Sequence, residues 1–262
     1  MSTNRDIKLS AVDLSMQFGG QVALNDVSCE FTTRCVTAII GPNGAGKTTL
    51  FNLFSGQLAP TEGKIFLGGQ DITKKTAAQR ANLGIGRAFQ RTNLFPGLSV
   101  FENVCVAVQS RLNISHKFWA LSSKQHEVTD QAELYLARVD LLQQKDLLAT
   151  NLSHGGKRRL EVGMLMALEP SVYMFDEPTT GMSMEEVPEI LELIASIRAN
   201  TDKIVVLVEH KMDVVRNLAE RVIVLHNGRL LADGDFEHVM NSPQVQRAYL
   251  GVSPDAGMKF VS

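Results

Sequence analysis

The sequence predicts an α/β fold whose core is a mostly parallel sheet, with an N-terminal antiparallel β part near residues 7–35 and an α-helical insert. Three observations support this prediction. Short apolar runs rich in β-branched residues alternate with helical patterns, which is typical of a parallel sheet covered on both faces. Residues 7–31 carry a half-apolar β pattern that Gly19 and Gly20 interrupt. Strand signals disappear between about residues 91 and 150, where two helical patterns replace them.

The core begins with a predicted strand, a glycine-rich turn and a helix. Val36–Ile40 is a compact apolar run that leads directly into the glycine-rich residues 41–46. The helix follows from Lys47, and Gly56 closes it as a C′ glycine would. A second strand-like stretch follows at residues 64–67.

The insert contains two predicted helices, near residues 99–111 and near residues 124–139. In the second helix the apolar residues that recur at helical spacing are Val128, Ala132, Leu136 and Val139. We therefore assign residues 91–155 to the insert, residues 1–90 and 156–251 to the core, and residues 252–262 to a C-terminal tail.

Strands and helices alternate again after the insert. A helix begins at Ser153, and residues 171–175 form a strand that ends in Asp176 and Glu177. Ser183 and Glu186 stand at capping-box spacing before the next helix. The remaining predicted elements are a buried strand at residues 203–208, a short helix at residues 212–218 and a hairpin that turns through Asn227 and Gly228.

Length and composition exclude several protein classes. A chain of 262 residues, 44% hydrophobic and 21% charged, is suited to one large globular domain, with or without a smaller insert. The net charge of -2 gives no general attraction to nucleic acid, so we expect no such partner. Three cysteines without metal-site spacing indicate a reducing compartment. The apolar runs are too short for a membrane helix and the polar start lacks a signal sequence, so we expect no export or anchoring.

Residues 41–48 fit the pattern G-x-x-x-x-G-K-[ST] in full, between a predicted strand and a predicted helix. In this context the glycines allow backbone N–H groups to converge on phosphate oxygens at the positive end of the helix. Lys47 is expected to reach the β- and γ-phosphates, and the Thr48 hydroxyl to bind Mg²⁺. The residues expected to contact nucleotide here are Gly41, Pro42, Asn43, Gly44, Ala45, Gly46, Lys47, Thr48 and Thr49.

An acidic pair follows the strand predicted at residues 171–175. Asp176, at the carboxyl end of that strand, is well placed to bind Mg²⁺. Glu177, one residue further on, could orient and deprotonate a water molecule. The structural alternative is an ordinary strand-end turn, and the phosphate-binding loop elsewhere in the chain favours the functional interpretation.

Four further features make the chain similar to the nucleotide-binding subunits of ABC transporters. Residues 152–157, LSHGGK, resemble the ABC signature, and Gln90 resembles the Q-loop glutamine. His210 resembles the switch histidine, and Phe18 stands where the aromatic A-loop residue stacks on adenine. The order and spacing of these features agree from about residue 7 to residue 251.

The resemblance implies a P-loop NTPase (RecA-like) fold, a signature subdomain formed by the insert, and an ATPase that uses ATP and Mg²⁺. The roles it assigns are catalysis to Glu177, His210 and Gln90, metal binding to Thr48, Gln90 and Asp176, and adenine stacking to Phe18. Ser153 and Gly155 would contact the γ-phosphate of an ATP held by a second subunit in a head-to-tail dimer.

Within this family the chain is most similar to the ATPases of branched-chain amino-acid uptake. These carry LSHGE-like signatures and a D-loop that reads Gly-Met, here Gly181 and Met182. The other similar segments are residues 87–90, 94–96, 101–104 and 248–251. Three residues depart from the pattern. Gly156 replaces the usual Glu or Gln, Lys157 replaces the Gln that generally follows, and Ser183 stands where many relatives have the D-loop Asp.

The resemblance also implies partners and a location. The partners are a second ATPase subunit, identical or different, integral-membrane permease subunits and, indirectly, a periplasmic or extracellular solute-binding protein. The chain would act peripherally at the cytoplasmic face of the inner membrane and power the import of branched-chain amino acids or related small molecules.

Two alternatives lie within the same family. One is the ATPase of a lipopolysaccharide-export system, whose signature usually has Gly at the position of His154. The other is a soluble non-transport ABC ATPase, which typically carries two cassettes or a long coiled-coil insert. A kinase outside the family would lack the signature and would need an acceptor site.

Overall fold

The computed structural model describes residues 7–88, 94–114, 122–199 and 202–250. The strands are β1 (Lys8–Phe18), β2 (Gln21–Thr32), β3 (Val36–Ile40), β4 (Glu62–Leu67), β5 (Gln70–Asp71), β6 (Ile85–Ala88), β7 (Val172–Asp176), β8 (Ile204–Val208), β9 (Arg221–His226) and β10 (Arg229–Gly234). The helices are α1 (Lys47–Ser55), α2 (Ala77–Asn82), α3 (Val100–Arg111), α4 (Ser122–Arg138), α5 (His154–Ala167), α6 (Val187–Ala199), α7 (Met212–Leu218), α8 (Phe236–Met240) and α9 (Pro243–Val245). Short 3₁₀ turns at Leu142–Gln144 and Ala149–Asn151 and a π-helical turn at Gln246–Leu250 complete the description. The chain divides into two compact units, residues 1–80 with 204–262 and residues 81–203.

The first unit contains an antiparallel sheet with the strand order β2-β1-β4-β5. Leu9 of β1 lies opposite Phe31 of β2 on one side and Leu67 of β4 on the other. This sheet confirms the predicted N-terminal antiparallel part, and it also includes the strand-like stretch that follows α1.

The same unit contains the parallel strands that lead to the glycine-rich loop. β3 lies between β8 and β9, parallel to both, and β10 pairs antiparallel with β9. Every residue of β3 and β8 is buried, as expected for strands covered on both faces. Asn227 and Gly228 have φ values of 49° and 72°, which fits the predicted two-residue hairpin.

Helix α1 is fixed at its carboxyl end by buried side chains. The ring of Phe54 meets the ring of Phe31 edge-on, with centroids 5.2 Å apart. Arg80 is only 1% exposed and donates hydrogen bonds to the backbone oxygens of Leu53 and Phe54 in the last turn of the helix, and of Thr73. These contacts hold in place the helix that begins in the glycine-rich loop.

The second unit pairs β6 and β7 in parallel and packs α3, α4 and α5 against one another. Ser99 and Glu102 form a capping box at the start of α3. The apolar residues predicted for α4 and the turn after it are buried: Val128, Ala132, Leu136 and Val139. Both helices predicted in the insert are therefore confirmed, while the domain boundaries at residues 90–91 and 155–156 stay a prediction. Among the described residues, no helix combines the length and apolar character needed to cross a bilayer.

Candidate functional site

The glycine-rich loop follows β3 directly and closes onto backbone from other strands. Gly41 has a φ of 152°, and a Cβ built on it would lie 2.2 Å from the backbone oxygen of Leu225. Gly46 precedes α1 in a left-handed conformation, where a Cβ would lie 2.6 Å from a methyl carbon of Leu24. Both positions therefore require glycine for reasons of space as well as backbone conformation.

Lys47, the first residue of α1, places its ammonium inside this loop. Its Nζ donates to the backbone oxygens of Gly41 at 2.6 Å and Pro42 at 3.0 Å, and the side chain is buried. Thr48, the next residue, is exposed. An ammonium group and the N-terminal N–H groups of a helix thus meet at one place, an arrangement that attracts polyanions.

The first unit also contains the predicted adenine and sensor residues. Phe18 is the last residue of β1, lies opposite Gln21 in the hairpin and is 46% exposed. His210 follows β8 with an exposed imidazole, whose Nδ1 lies 3.7 Å from the carboxylate of Glu209. Glu209 is fully buried and accepts hydrogen bonds from the backbone N–H groups of His210 and Lys211. Its carboxylate thus shapes the backbone turn that presents the imidazole.

Asp176, at the carboxyl end of β7, is 1% exposed and pairs with one arginine. Its Oδ2 accepts a hydrogen bond from Nη2 of Arg87 on β6 at 2.9 Å. Burial raises the pKa of the Asp176 carboxyl, and the charge of Arg87 opposes that increase. The other oxygen, Oδ1, is buried and has no hydrogen-bond partner in the described part of the chain. A buried carboxylate oxygen with free acceptor capacity fits a magnesium ligand or a water bound to one.

Glu177 occupies a left-handed backbone conformation that is uncommon for a residue with a side chain. Its φ is 47°, and its Oε2 accepts a hydrogen bond from Thr180 Oγ1 at 3.0 Å. Arg158, on α5, donates to the backbone oxygens of Asp176, Glu177 and Pro178 at 3.4, 3.4 and 3.0 Å. The same guanidinium pairs with Glu161 at 2.7 Å. The backbone around the acidic pair is therefore held from α5.

The LSHGGK segment forms the N-terminal turn of α5. Ser153 is its N-cap, and its Oγ accepts a hydrogen bond from the Gly156 N–H at 3.0 Å. A Cβ on Gly155 would lie 2.1 Å from Oε1 of Glu186, so the carboxylate of Glu186 packs against this glycine. Glu186 Oε2 in turn accepts from the N–H and hydroxyl of Ser183 at 3.2 and 3.1 Å. The bond to the Ser183 N–H is one half of the capping box that the spacing predicted, whereas the Glu186 N–H donates to the backbone oxygen of Ser183 and not to its hydroxyl.

The structure thus groups the predicted site residues by unit. The glycine-rich loop, Phe18 and His210 belong to the first unit, and Ser153, Gly155 and the acidic pair belong to the second. Gln90 lies outside the described residues. The sequence alone did not identify Arg87 and Arg158 as partners of the acidic pair. The one available signal was that Arg87 belongs to the similar segment 87–90.

Comparison with known proteins identifies the family. The profile described as "ABC transporter" matches residues 24–180. The chain belongs to the ABC transporter family. A second profile, "Branched-chain amino acid ATP-binding cassette transporter", matches residues 229–255 of this ABC ATPase. The predicted family and the ATP-hydrolysing activity that it implies are thereby confirmed.

Individual relatives of this ABC ATPase cover nearly the whole chain. The high-affinity branched-chain amino acid transport ATP-binding protein LivG of Salmonella typhimurium is 39% identical over 93% of this chain and 97% of its own length. The corresponding protein BraF of Pseudomonas aeruginosa is 36% identical with the same coverage. The lipopolysaccharide export system ATP-binding protein LptB of Acidithiobacillus ferridurans is 32% identical over 93% of this chain and 96% of its own.

Solved structures confirm the predicted P-loop NTPase fold. An ATP-binding cassette of an ABC transporter superposes with a TM-score of 0.81 at 29% identity, covering 94% of this chain and 99% of the other. The ADP conformation of the same cassette gives a TM-score of 0.80 at 28% identity, covering 95% and 100%.

Proposed function

We propose that this ABC ATPase powers the import of branched-chain amino acids or related small solutes across the inner membrane. The observation that carries the proposal is the 39% identity to LivG over 93% of the chain. The profile match at residues 229–255 supports the same solute class. The match to LptB is weaker, at 32% identity, and leaves lipopolysaccharide export as the second candidate.

ATP is proposed to bind at the glycine-rich loop. Lys47 Nζ would exchange its two backbone oxygens for the β- and γ-phosphates, while the loop N–H groups of residues 41–49 contact the remaining phosphate oxygens. Phe18, exposed at the end of β1, would stack on adenine. The support for these roles is the compact loop, its required glycines and the family motif.

Mg²⁺ is proposed to be held by Thr48 and Gln90 in the first coordination sphere, with Asp176 bound directly or through water. The observation that supports this is the buried Oδ1 of Asp176, which has free acceptor capacity in the described part of the chain. When bound, the ion would neutralise phosphate charge and orient the triphosphate.

Glu177 is proposed as the general base. Its carboxylate would orient the attacking water and accept its proton, and the contacts from Arg158 and Thr180 would keep it in position. His210 is proposed to contact the γ-phosphate through its exposed imidazole, and Gln90 to help position the attacking water.

A second subunit is proposed to complete each site. Ser153 and Gly155 would contact the γ-phosphate bound by a partner chain, identical or different, in a head-to-tail dimer. Because hydrolysis and phosphate release remove the charge that holds the dimer closed, closure and reopening could move attached permease subunits. The signature subdomain at residues 91–155 is proposed to contact the permease, which receives solute from a periplasmic or extracellular binding protein. The chain would then lie at the cytoplasmic face of the membrane.

The experiment uses the chain co-purified with its permease subunits in proteoliposomes. Uptake of labelled leucine that requires ATP and the solute-binding protein is the expected result. Glu177→Gln should retain ATP binding and dimerisation but lose turnover, whereas the matched exposed control Glu127→Gln should behave as the unmodified protein. ATP-dependent release of lipopolysaccharide without leucine uptake would overturn the solute assignment. Normal turnover by Glu177→Gln would overturn the assignment of the base.

A further inference from the structure

The second unit contains a cavity that none of the residues proposed for ATP lines. It has a volume of about 890 Å³ and lies between α4, the end of α5, the start of β7 and α6. Its apolar lining includes Leu134, Met166, Leu193 and Ile197, together with the ring of Tyr135. This size and mixed lining are those of small-molecule sites.

The Tyr173 hydroxyl is the polar group that best indicates a ligand. Tyr173 lines the cavity and is only 4% exposed, yet its hydroxyl makes no hydrogen bond within the described residues. Burial raises the pKa of this phenol, so the hydroxyl stays protonated and remains a donor. The hydroxyl oxygen is not among the fully enclosed polar atoms that lack a partner, so it is accessible from the cavity, where a ligand acceptor would take the place of water.

The carboxylates of the cavity are mostly occupied by protein groups. Glu169 pairs with Arg111 and accepts a hydrogen bond from the Tyr135 hydroxyl. Asp140 and Glu189 share the guanidinium of Arg159, each at 3.3 Å. Three of the four acidic side chains that line the cavity are therefore already paired, and only Glu192 has no ion pair within the described chain.

The cations that line the same cavity make fewer contacts with protein groups than the carboxylates do. The Arg138 guanidinium lies 5.3 Å from the centroid of the Tyr135 ring and has no carboxylate partner among the described residues. Its charge is close enough to Tyr173 to oppose the increase in the pKa of the phenol. Lys203 donates to the backbone oxygen of Glu169 at 3.3 Å, which uses one of its three N–H groups. The Glu169 carboxylate also lies near Tyr173 and raises its pKa, but it is already engaged by Arg111 and the Tyr135 hydroxyl, which leaves Arg138 and Lys203 as the donors open to a ligand.

We propose that this cavity binds a small carboxylate with an apolar body. The carboxylate of the ligand accepts a hydrogen bond from the Tyr173 hydroxyl and lies near Arg138 and Lys203. The apolar body of the ligand packs on Leu134 and Leu193. Two sources share this chemistry, a simple carboxylic acid and a free apolar amino acid. In the amino acid, the ammonium group would face Glu192, the one lining carboxylate without an ion pair in the described part.

Three ligands with the same body test the chemistry: 3-phenylpropanoate, L-phenylalanine and 2-phenylethylamine. Binding to the purified full-length chain is measured by calorimetry and by ligand-observed NMR, without nucleotide, so the outcome does not depend on the ATPase assignment. Both carboxylates should bind and the amine should not. Binding of the amine as tightly as the acids, or binding of none at millimolar concentration, would overturn the proposal.

Variants locate the site. Tyr173→Phe should weaken carboxylate binding about tenfold, because it removes a hydrogen bond to a charged group. It breaks no hydrogen bond within the described protein, so the fold should be kept. Arg138→Gln should weaken binding to a similar extent, and an unchanged Kd in both variants would refute the site. If amino acids are the ligands, Glu192→Gln should weaken the binding of L-phenylalanine and leave that of 3-phenylpropanoate unchanged. If simple acids are the ligands, Glu192→Gln should change the binding of neither compound. The control Glu127→Gln, on the exposed face of α4, should leave all binding unchanged.

Discussion

Arg158 connects α5 to the backbone of the acidic pair, and its replacement tests the candidate site directly. Arg158 is 8% exposed, and its guanidinium pairs with Glu161 at 2.7 Å and donates to the backbone oxygen of Pro178 at 3.0 Å. Arg158→Met removes the cation from a buried pair, which lowers the free energy of unfolding by about 3–5 kcal/mol. For a chain of this length, that loss corresponds to a decrease in Tm of about 6–20 °C.

The same variant should lower catalysis at any temperature at which it stays folded. The left-handed conformation of Glu177 costs about 1–3 kcal/mol, so it persists only while surrounding contacts hold it. Without the Arg158 donors the backbone at Glu177 can relax, and if Glu177 is the base as proposed, a displacement of about 1 Å lowers kcat by about 100-fold. The KM for ATP should change much less, because the variant leaves the glycine-rich loop and the contacts of Lys47 unchanged.

Calorimetry and steady-state ATPase assays measure both effects. Arg159→Met is the matched control, since this neighbour makes partly exposed pairs with Asp140 and Glu189 that contribute about 0–1 kcal/mol. Replacing Arg158 and Glu161 together by Met removes both buried charges and should recover part of the lost stability. Equal decreases in Tm for the two single variants, or an unchanged kcat in folded Arg158→Met, would refute the reasoning.

Three further predictions concern buried groups. Arg87→Met should lower the free energy of unfolding by about 3 kcal/mol in thermal denaturation, because Asp176 stays buried without its cation, and adding Asp176→Asn should restore part of it. Arg80→Met should lower the free energy of unfolding by about 2–4 kcal/mol in the same assay, because backbone oxygens at the end of α1 lose charge-assisted hydrogen bonds. The matched control Arg229→Met, at an exposed position, should leave the free energy of unfolding unchanged. Burial raises the pKa of Cys105 from 9.0 to about 11, so a smaller fraction of this thiol is thiolate at pH 8. Alkylation of Cys105 at pH 8, measured by peptide mass spectrometry, should therefore be about 100-fold slower than that of an ordinary thiol.

Each of these predictions has a contrary result. If Arg87→Met is as stable as the unmodified chain, the pair with Asp176 contributes nothing. If Arg80→Met and Arg229→Met unfold at the same temperature, the end of α1 is held by other contacts. If alkylation of Cys105 reaches its plateau near pH 9 instead of continuing to rise toward pH 11, its thiol is not shielded from water.

The conformation of the glycine-rich loop was predictable because its determinants are adjacent in the sequence. The apolar run of β3, the glycines and Lys47 all lie within residues 36–47, and local patterns are what sequence inspection resolves best. The hairpin at Asn227 and Gly228 and the start of α3 near Ser99 were predictable for the same reason. Each depends on a backbone conformation that only a few residue types favour.

The contacts around the acidic pair were not predictable in this way. Arg87 and Asp176 lie 89 positions apart in the sequence and meet only because β6 and β7 pair in parallel. Arg158 is an ordinary helical residue by pattern, and only tertiary packing turns it toward the backbone of residues 176–178. The left-handed conformation at Glu177 runs against the preference of a glutamate, as is common where surrounding structure enforces a functional geometry.

The position of the Lys47 ammonium has a consequence for how fast nucleotide is captured. Because the buried ammonium already donates to two loop oxygens, most of its hydration shell was replaced when the chain folded. In the binding mode proposed above, an arriving triphosphate would exchange two neutral dipoles for full negative charge, and little water would have to leave the cation. The loop is also ordered around its own lysine beforehand, so little conformational entropy remains to be lost in the encounter.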